Sequence, residues 1–180
     1  MAAAEIIAII APKLPPSPMA STALSLAFFK AGHPKNLRLT FASSLGATLW
    51  LFGAALRIRT YGDLGSFFRY DISIQKDHRL ITTGPYSIVR HPSYSGLLLA
   101  NIGWFLWNFS EGSWVRESGL LSKSIGVVLL IAYIGFVILP TSIITLSRMS
   151  REDAALRKKF GAEWDEWARR VPYSVVPGIY

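Results

Sequence analysis

The sequence predicts an all-α integral membrane protein, and three observations carry that expectation. Three runs hold no charged residue: Leu39–Leu56 and Ser93–Ser110 over 18 positions each, and Ser124–Ser147 over 24. At a rise of about 1.5 Å per residue, about 20 residues cross a hydrocarbon core about 30 Å thick, so the third run is long enough and the others just suffice. One such run is compatible with the buried helix of a small soluble fold, but three in 180 residues are more apolar surface than such a fold can cover. Finally, Lys and Arg gather in the segments that flank the runs, as expected of membrane-flanking loops.

Taken in order, residues 1–38 form a leader separate from a single membrane domain spanning 39–180. Within the leader, Ala2–Ile10 is apolar but interrupted by Glu5, with no Lys or Arg before it, and makes a poor secretory signal. Pro15, Pro16 and Pro18 leave Met19–Phe29 as a short hydrophobic helix. Leu39–Leu56 crosses the membrane. Arg57–Arg90 is a polar loop, and Pro92–Phe109 crosses back. Ser110–Lys123 is a short polar connection. Ser124–Ser147 crosses again, with a kink expected near Pro140. In the polar tail, Leu156, Phe160, Trp164 and Trp167 recur at helical spacing, predicting an amphipathic helix from Glu152 to about Arg170. Its tryptophans suit either a helix lying along the headgroups or packing against other helices.

Orientation follows from the basic residues. The loop 57–90 holds six Lys and Arg and the tail from Arg148 holds seven, against two in the connection 110–123. Two spans separate the first loop from the tail, so both lie on one side, expected to be cytosolic. Lys30, Lys35 and Arg38 then fall on the opposite side and pull against the assignment, but 13 against 5 still favours it. The sequon Asn108-Phe109-Ser110 touches the bilayer edge, where a glycan is hard to attach, and reads as chance.

Composition excludes several classes. With no cysteine, disulfide scaffolds, thiolate metal sites and cysteine nucleophiles are ruled out, and no metal is expected. A net charge of +8 raises the question of nucleic acid, but no nucleic-acid motif accompanies it. Attraction to an anionic cytoplasmic leaflet accounts for the excess better.

Two clusters carry chemistry. In GPYSIVRHPSYSG, residues 84–96, a tight turn leads through Tyr86 to Arg90, His91 and Tyr94, crowded at the start of a span. Pro92 fits the first helical turn, and Gly96 allows a backbone or ligand to approach closely. Taken alone, the stretch also fits an ordinary headgroup anchor. The second cluster, Arg148, Arg151, Glu152 and Asp153, ends the last span. Arg148 and Glu152 share a helix face at i, i+4 and fit a surface ion pair. Ser150-x-x-Asp153 also reads as a helix cap. Topology argues that the clusters belong together: both lie on one membrane face, at the ends of helices that can be neighbours.

HRLITTGPYSIVRHPSYSG, two further spans, and REDAALRKKFGAEWDEWARRVPYSVVPGIY together resemble the isoprenylcysteine carboxyl methyltransferase family over about residues 60–180. The RHPSY element is shared with related membrane methyltransferases, including phospholipid N-methylating ones. The R-x-x-x-E string and the F-G-x-E-W…R-V-P ending point more narrowly to the prenylcysteine branch.

The resemblance implies an enzyme of the endoplasmic reticulum membrane with its active site facing the cytosol. It implies transfer of a methyl group from S-adenosylmethionine to the C-terminal carboxylate of an S-prenylated cysteine, with prenylated proteins and the lipid bilayer as partners. It assigns cofactor contacts to His78, Arg79, Leu80 and Ile81, to Tyr86, to His91, Pro92, Ser93 and Tyr94, and to Glu152. Arg148 matches the arginine expected beside the substrate carboxylate and is the catalytic candidate. Asp153 stands where the family commonly has a second glutamate. Amine methylation of a phospholipid head and a non-catalytic membrane adaptor remain as alternatives.

Overall fold

A computed structural model of the chain describes residues 10, 17–67 and 79–179, and among these it is helical with no strand. The helices are α1 (Pro18–Ala27), α2 (Phe41–Leu64), α3 (Pro92–Phe109), the single turn α4 (Trp114–Glu117), α5 (Ser124–Phe160) and α6 (Ala162–Arg170). Two of them, α2 and α5, are long and apolar enough to cross a membrane. The described residues fall into two compact units, one drawn from Met1–Leu49 and Ile102–Val137, the other from Trp50–Asn101 and Ile138–Tyr180.

Helix α2 opens on a reciprocal cap. Thr40 N–H donates to Ser43 Oγ (2.8 Å), and Ser43 N–H donates to Thr40 Oγ1 (3.2 Å), satisfying two N–H groups that the helix start leaves over. The sequence places the end of this helix at Leu56, where the uncharged run stops, whereas α2 continues to Leu64. Charge ends what a bilayer tolerates, not what a helix tolerates. The extra turns carry Arg57 against Tyr61 and Arg59 against Asp63, both i, i+4 pairs.

Glycines let α2 and α3 approach backbone to backbone. A Cβ on Gly53 would lie 2.4 Å from Gly96 O, and one on Gly96 would lie 2.7 Å from Gly53 O. In the other unit, a Cβ on Gly46 would lie 2.6 Å from Trp107 N and 2.8 Å from Gly103 O. Small residues at the contact let membrane-type helices gain dispersion energy where the hydrophobic effect offers none.

Helix α5 passes through a π-turn at Ile134–Ile138, just before Pro140. Proline has no N–H for the carbonyl four residues back, and the backbone relieves the misfit by widening one turn. The helix then runs on to Phe160. The expected separate tail helix from Glu152 to about Arg170 is therefore corrected: Ser150 and Asp153 lie inside a continuous helix, not at its cap. The break falls at Gly161, whose φ of +55° suits glycine, and α6 follows it.

In the first unit, Trp114 and Val115 form a small core with Phe28, Leu37, Phe109, Leu120 and Leu121. Trp114 Nε1 donates to Ala27 O at 2.9 Å, and Phe29 N–H donates to Ser118 O at 2.8 Å. The segment after α1 is thereby bound to the segment after α3. Asn108 is buried and its Nδ2 donates to Trp104 O, so this asparagine offers no accessible amide for a glycan.

Candidate functional site

The second unit brings the two sequence clusters into contact. Pro92 occupies the first turn of α3 and is fully buried, fixing the chain direction just after His91. Tyr94 and Ser95 both donate their N–H groups to His91 O. His91 and Tyr94 thus leave the helix start on fixed geometry. Arg57 of α2 donates to Ser93 O at 3.1 Å, which ties the same turn to a second helix.

Glu152 and Asp153, adjacent on α5, reach the His91 ring at its two nitrogens. Nε2 lies 3.0 Å from Asp153 Oδ1, and Nδ1 lies 3.6 Å from Glu152 Oε2. Tyr94 OH donates to Glu152 Oε1 at 2.9 Å, and Arg148 Nε donates to the same oxygen at 2.6 Å. Arg90 Nε donates to Asp153 Oδ2 at 3.3 Å. Two carboxylates, two guanidinium groups, a phenol and an imidazole therefore form one network.

The network is largely shielded from water. The His91 side chain is 6% exposed, Asp153 19% and Glu152 24%, so each charge there needs its partners. Burial opposes charge on His91, but the hydrogen bonds to Asp153 and Glu152 outweigh it and hold the imidazole above the usual histidine value. Both carboxylates lie beyond the uncharged run of α5. Burial pushes them up, yet hydrogen bonding to His91 wins, and both sit below the usual carboxylate range. With His91 protonated, three cations face two anions, and the network as a whole favours one further negative charge.

The other expected site residues lie elsewhere in this unit or outside the described residues. Tyr86 packs with Trp167 and Val171 in a buried cluster flanked by Leu64, Leu80, Ile81 and Trp164. Trp167 Nε1 donates to Tyr86 O at 3.1 Å. Leu80, Ile81 and Tyr86 therefore pack beside the network, and Arg79 is exposed. Trp164 links the two regions, its ring 6.0 Å from the Arg90 guanidinium. His78 lies outside the described residues.

The sequence underrated two features. Asp153 was open to reading as a cap, because S-x-x-D is a helix-start pattern; it is instead a direct partner of His91. The return of the chain end has little signal in the sequence. Arg90 N–H donates to Tyr173 O (2.9 Å), His91 N–H to Ser174 O (2.8 Å) and Ser95 Oγ to Val175 O (2.5 Å). The only local hint is Pro172 and Pro177, which cannot continue α6. A cavity of about 430 Å³ adjoins the network, lined by Arg90, Asp153, Met149, Ser150 and the returning segment.

Fold and site together define a helical, membrane-type protein with a buried acid–histidine–arginine network. Residues 46–111 match the isoprenylcysteine carboxyl methyltransferase family, which confirms the resemblance at the level of the family. The protein-S-isoprenylcysteine O-methyltransferase of Mus musculus is 30% identical over 141 residues, 77% of this chain and 43% of that protein. Protein-S-isoprenylcysteine O-methyltransferase B of Arabidopsis thaliana is 30% identical over 135 residues, 74% of this chain and 58% of that protein. The chain thus spans about half the length of these relatives. Similarity extends to a delta(14)-sterol reductase of Mus musculus, 28% identical over 102 residues, 57% of this chain and 20% of that protein. Glu152, Asp153 and Arg148 lie beyond the segment that matches the family.

Proposed function

We propose that the chain transfers a methyl group from S-adenosylmethionine to the C-terminal carboxylate of an S-prenylated cysteine. In this reading residues 39–180 act as one methyltransferase domain in the endoplasmic reticulum membrane. α2, α3 and the apolar part of α5 cross the bilayer, the network faces the cytosol, and α6 lies as an amphipathic helix at that face.

The observation that carries the reading is the His91 ring between two carboxylates. An imidazole set between two carboxylates is favoured in its protonated form, which has no lone pair with which to take a proton. Methylating a phospholipid amine requires removal of a proton from an ammonium, so this arrangement disfavours it. A carboxylate is already ionised and nucleophilic at neutral pH, and it needs orientation and charge balance, not a base. The excess positive charge of the network fits that need.

The donor set fits the cofactor. Glu152 and Asp153 suit its ammonium group, and the cavity beside Asp153 supplies space. When bound, S-adenosylmethionine supplies a methyl group already activated on a sulfonium sulfur. Tyr94 and Arg148 hold Glu152 in place from one side and His91 from the other. Arg148, the more exposed of the network's arginines, would also face the substrate carboxylate and offset its loss of water. The prenyl chain would enter from the lipid, between spans.

The test is methyl transfer from labelled S-adenosylmethionine with a farnesylated cysteine and a phosphatidylethanolamine offered together. Label on the farnesylated cysteine is expected. Label on the phospholipid would instead favour the amine reading. Label on neither would favour an adaptor, or a reductase of the kind its sterol-reductase relative is named for.

A further inference from the structure

Arg90 does more than line the network. Its Nε donates to Asp153, its Nη1 donates to Val171 O (3.1 Å) and Pro172 O (2.6 Å), and its Nη2 donates to Ser174 Oγ (2.7 Å). One planar guanidinium thus joins the carboxylate that holds His91 to three points on the returning chain end. The side chain is 14% exposed, so these bonds form largely away from water, where losing one is costly. The backbones run alongside it: Arg90 and His91 donate to Tyr173 O and Ser174 O. Asp153 shares its two oxygens between Arg90 and His91, and Arg90 fixes where the Oδ1 facing His91 can point.

We propose that Arg90 is a positioning residue, pinned by the 171–174 segment, that aligns Asp153 on His91 and so sets the state of the histidine. The proposal rests on the methyltransferase reading for its purpose but not for its test. His91 is faced by Asp153 and Glu152 from α5 and by Tyr94 from its own helix. Arg148 stands behind Glu152, and Arg90 behind Asp153.

This layout gives a test of sign. If Arg90 acted on His91 only as a nearby positive charge, removing it would raise the histidine midpoint. If it acts by positioning Asp153, removing it releases the carboxylate and the midpoint falls. Histidine-labelled protein in nanodiscs can be titrated by NMR, since the chain has three histidines and His33→Gln and His78→Gln variants assign the signals. In Arg90→Gln the His91 midpoint should fall by about one pH unit. Ser174→Ala, which removes one tail bond and no charge, should lower it by a few tenths of a unit, roughly in proportion to the single bond lost. A midpoint that rises or stays at the wild-type value in Arg90→Gln overturns the proposal. If Arg90→Gln does not fold, Ser174→Ala decides alone, and an unchanged or raised midpoint overturns it. The titration needs neither cofactor nor substrate. Absence of methyl transfer by the wild-type chain would therefore sink the functional reading and leave this one standing.

Discussion

Both units bind a loop or chain end onto the start or finish of a helix, but they do so by different means. In the first unit the joints are Trp114 to Ala27, Phe29 to Ser118 and a compact apolar core. Its ion pair, Arg38 with Glu111, has side chains 58% and 63% exposed. In the second unit the joints are charges: Arg90, His91, Glu152 and Asp153, with side chains 6% to 24% exposed. Exposed pairs gain little over water, whereas buried charges are costly to leave alone. A fold needs only the first kind of joint. The second kind is expensive to assemble, and in the proposed function it marks where the chemistry takes place.

The sharpest way to break the comparison is to remove one buried partner. Asp153→Ala removes the carboxylate oxygen that faces His91 and the one that faces Arg90, and should lower stability by about 3 kcal/mol in thermal unfolding in detergent. Arg38→Ala, the matching change in the first unit, should cost less than about 1 kcal/mol. Equal losses would erase the distinction. Arg148→Ala should reduce turnover of a farnesylcysteine on the order of 100-fold, the usual cost of removing a charge from a shielded ionic contact. The dissociation constant for S-adenosylmethionine should change far less, because Tyr94 still holds Glu152. Unchanged turnover would remove Arg148 from its role.

Glycine substitutions sharpen the point for packing. A Cβ at Gly53 meets the Gly96 carbonyl, so Gly53→Ala must push two backbones apart and should cost about 2 kcal/mol. Gly62, later in the same helix, has nothing within 4 Å of such a Cβ, and Gly62→Ala should be neutral or stabilising by up to about 1 kcal/mol. The smallest expected effect is with pH. His91 is raised in the folded protein, so its contribution is complete below its unfolded value of 6.5 and is lost as pH rises through the folded one. Glu152 and Asp153 are lowered, so theirs are complete above 4.5 and 3.8 and are lost as pH falls through the folded values. The network should therefore stabilise most between about pH 4.5 and 6.5, and Asp153→Asn should flatten the melting-temperature profile on both sides.

The candidate spans were legible because hydrocarbon excludes charge: Leu39–Leu56 and Ser124–Ser147 announce themselves by what they lack. Helix ends were not legible by the same rule. Arg57 and Arg148 close an uncharged run, yet each makes an i, i+4 contact that carries its helix onward. The site followed the same division. His91, Tyr94, Arg148 and Glu152 could be paired from residue type and topology. Asp153 was obscured by a capping pattern that only the continuous α5 dismisses. The bond from Arg90 to Ser174 joins positions far apart in sequence, and no local pattern encodes such a contact.

In the proposed function the network serves a carboxylate acceptor. This is tested most directly by the chemical form of the transferred methyl group. The chain, in nanodiscs with labelled S-adenosylmethionine, farnesylcysteine and phosphatidylethanolamine, should place label on farnesylcysteine as an ester, released as volatile methanol by mild base. Label that survives base and travels with the phospholipid would contradict the account.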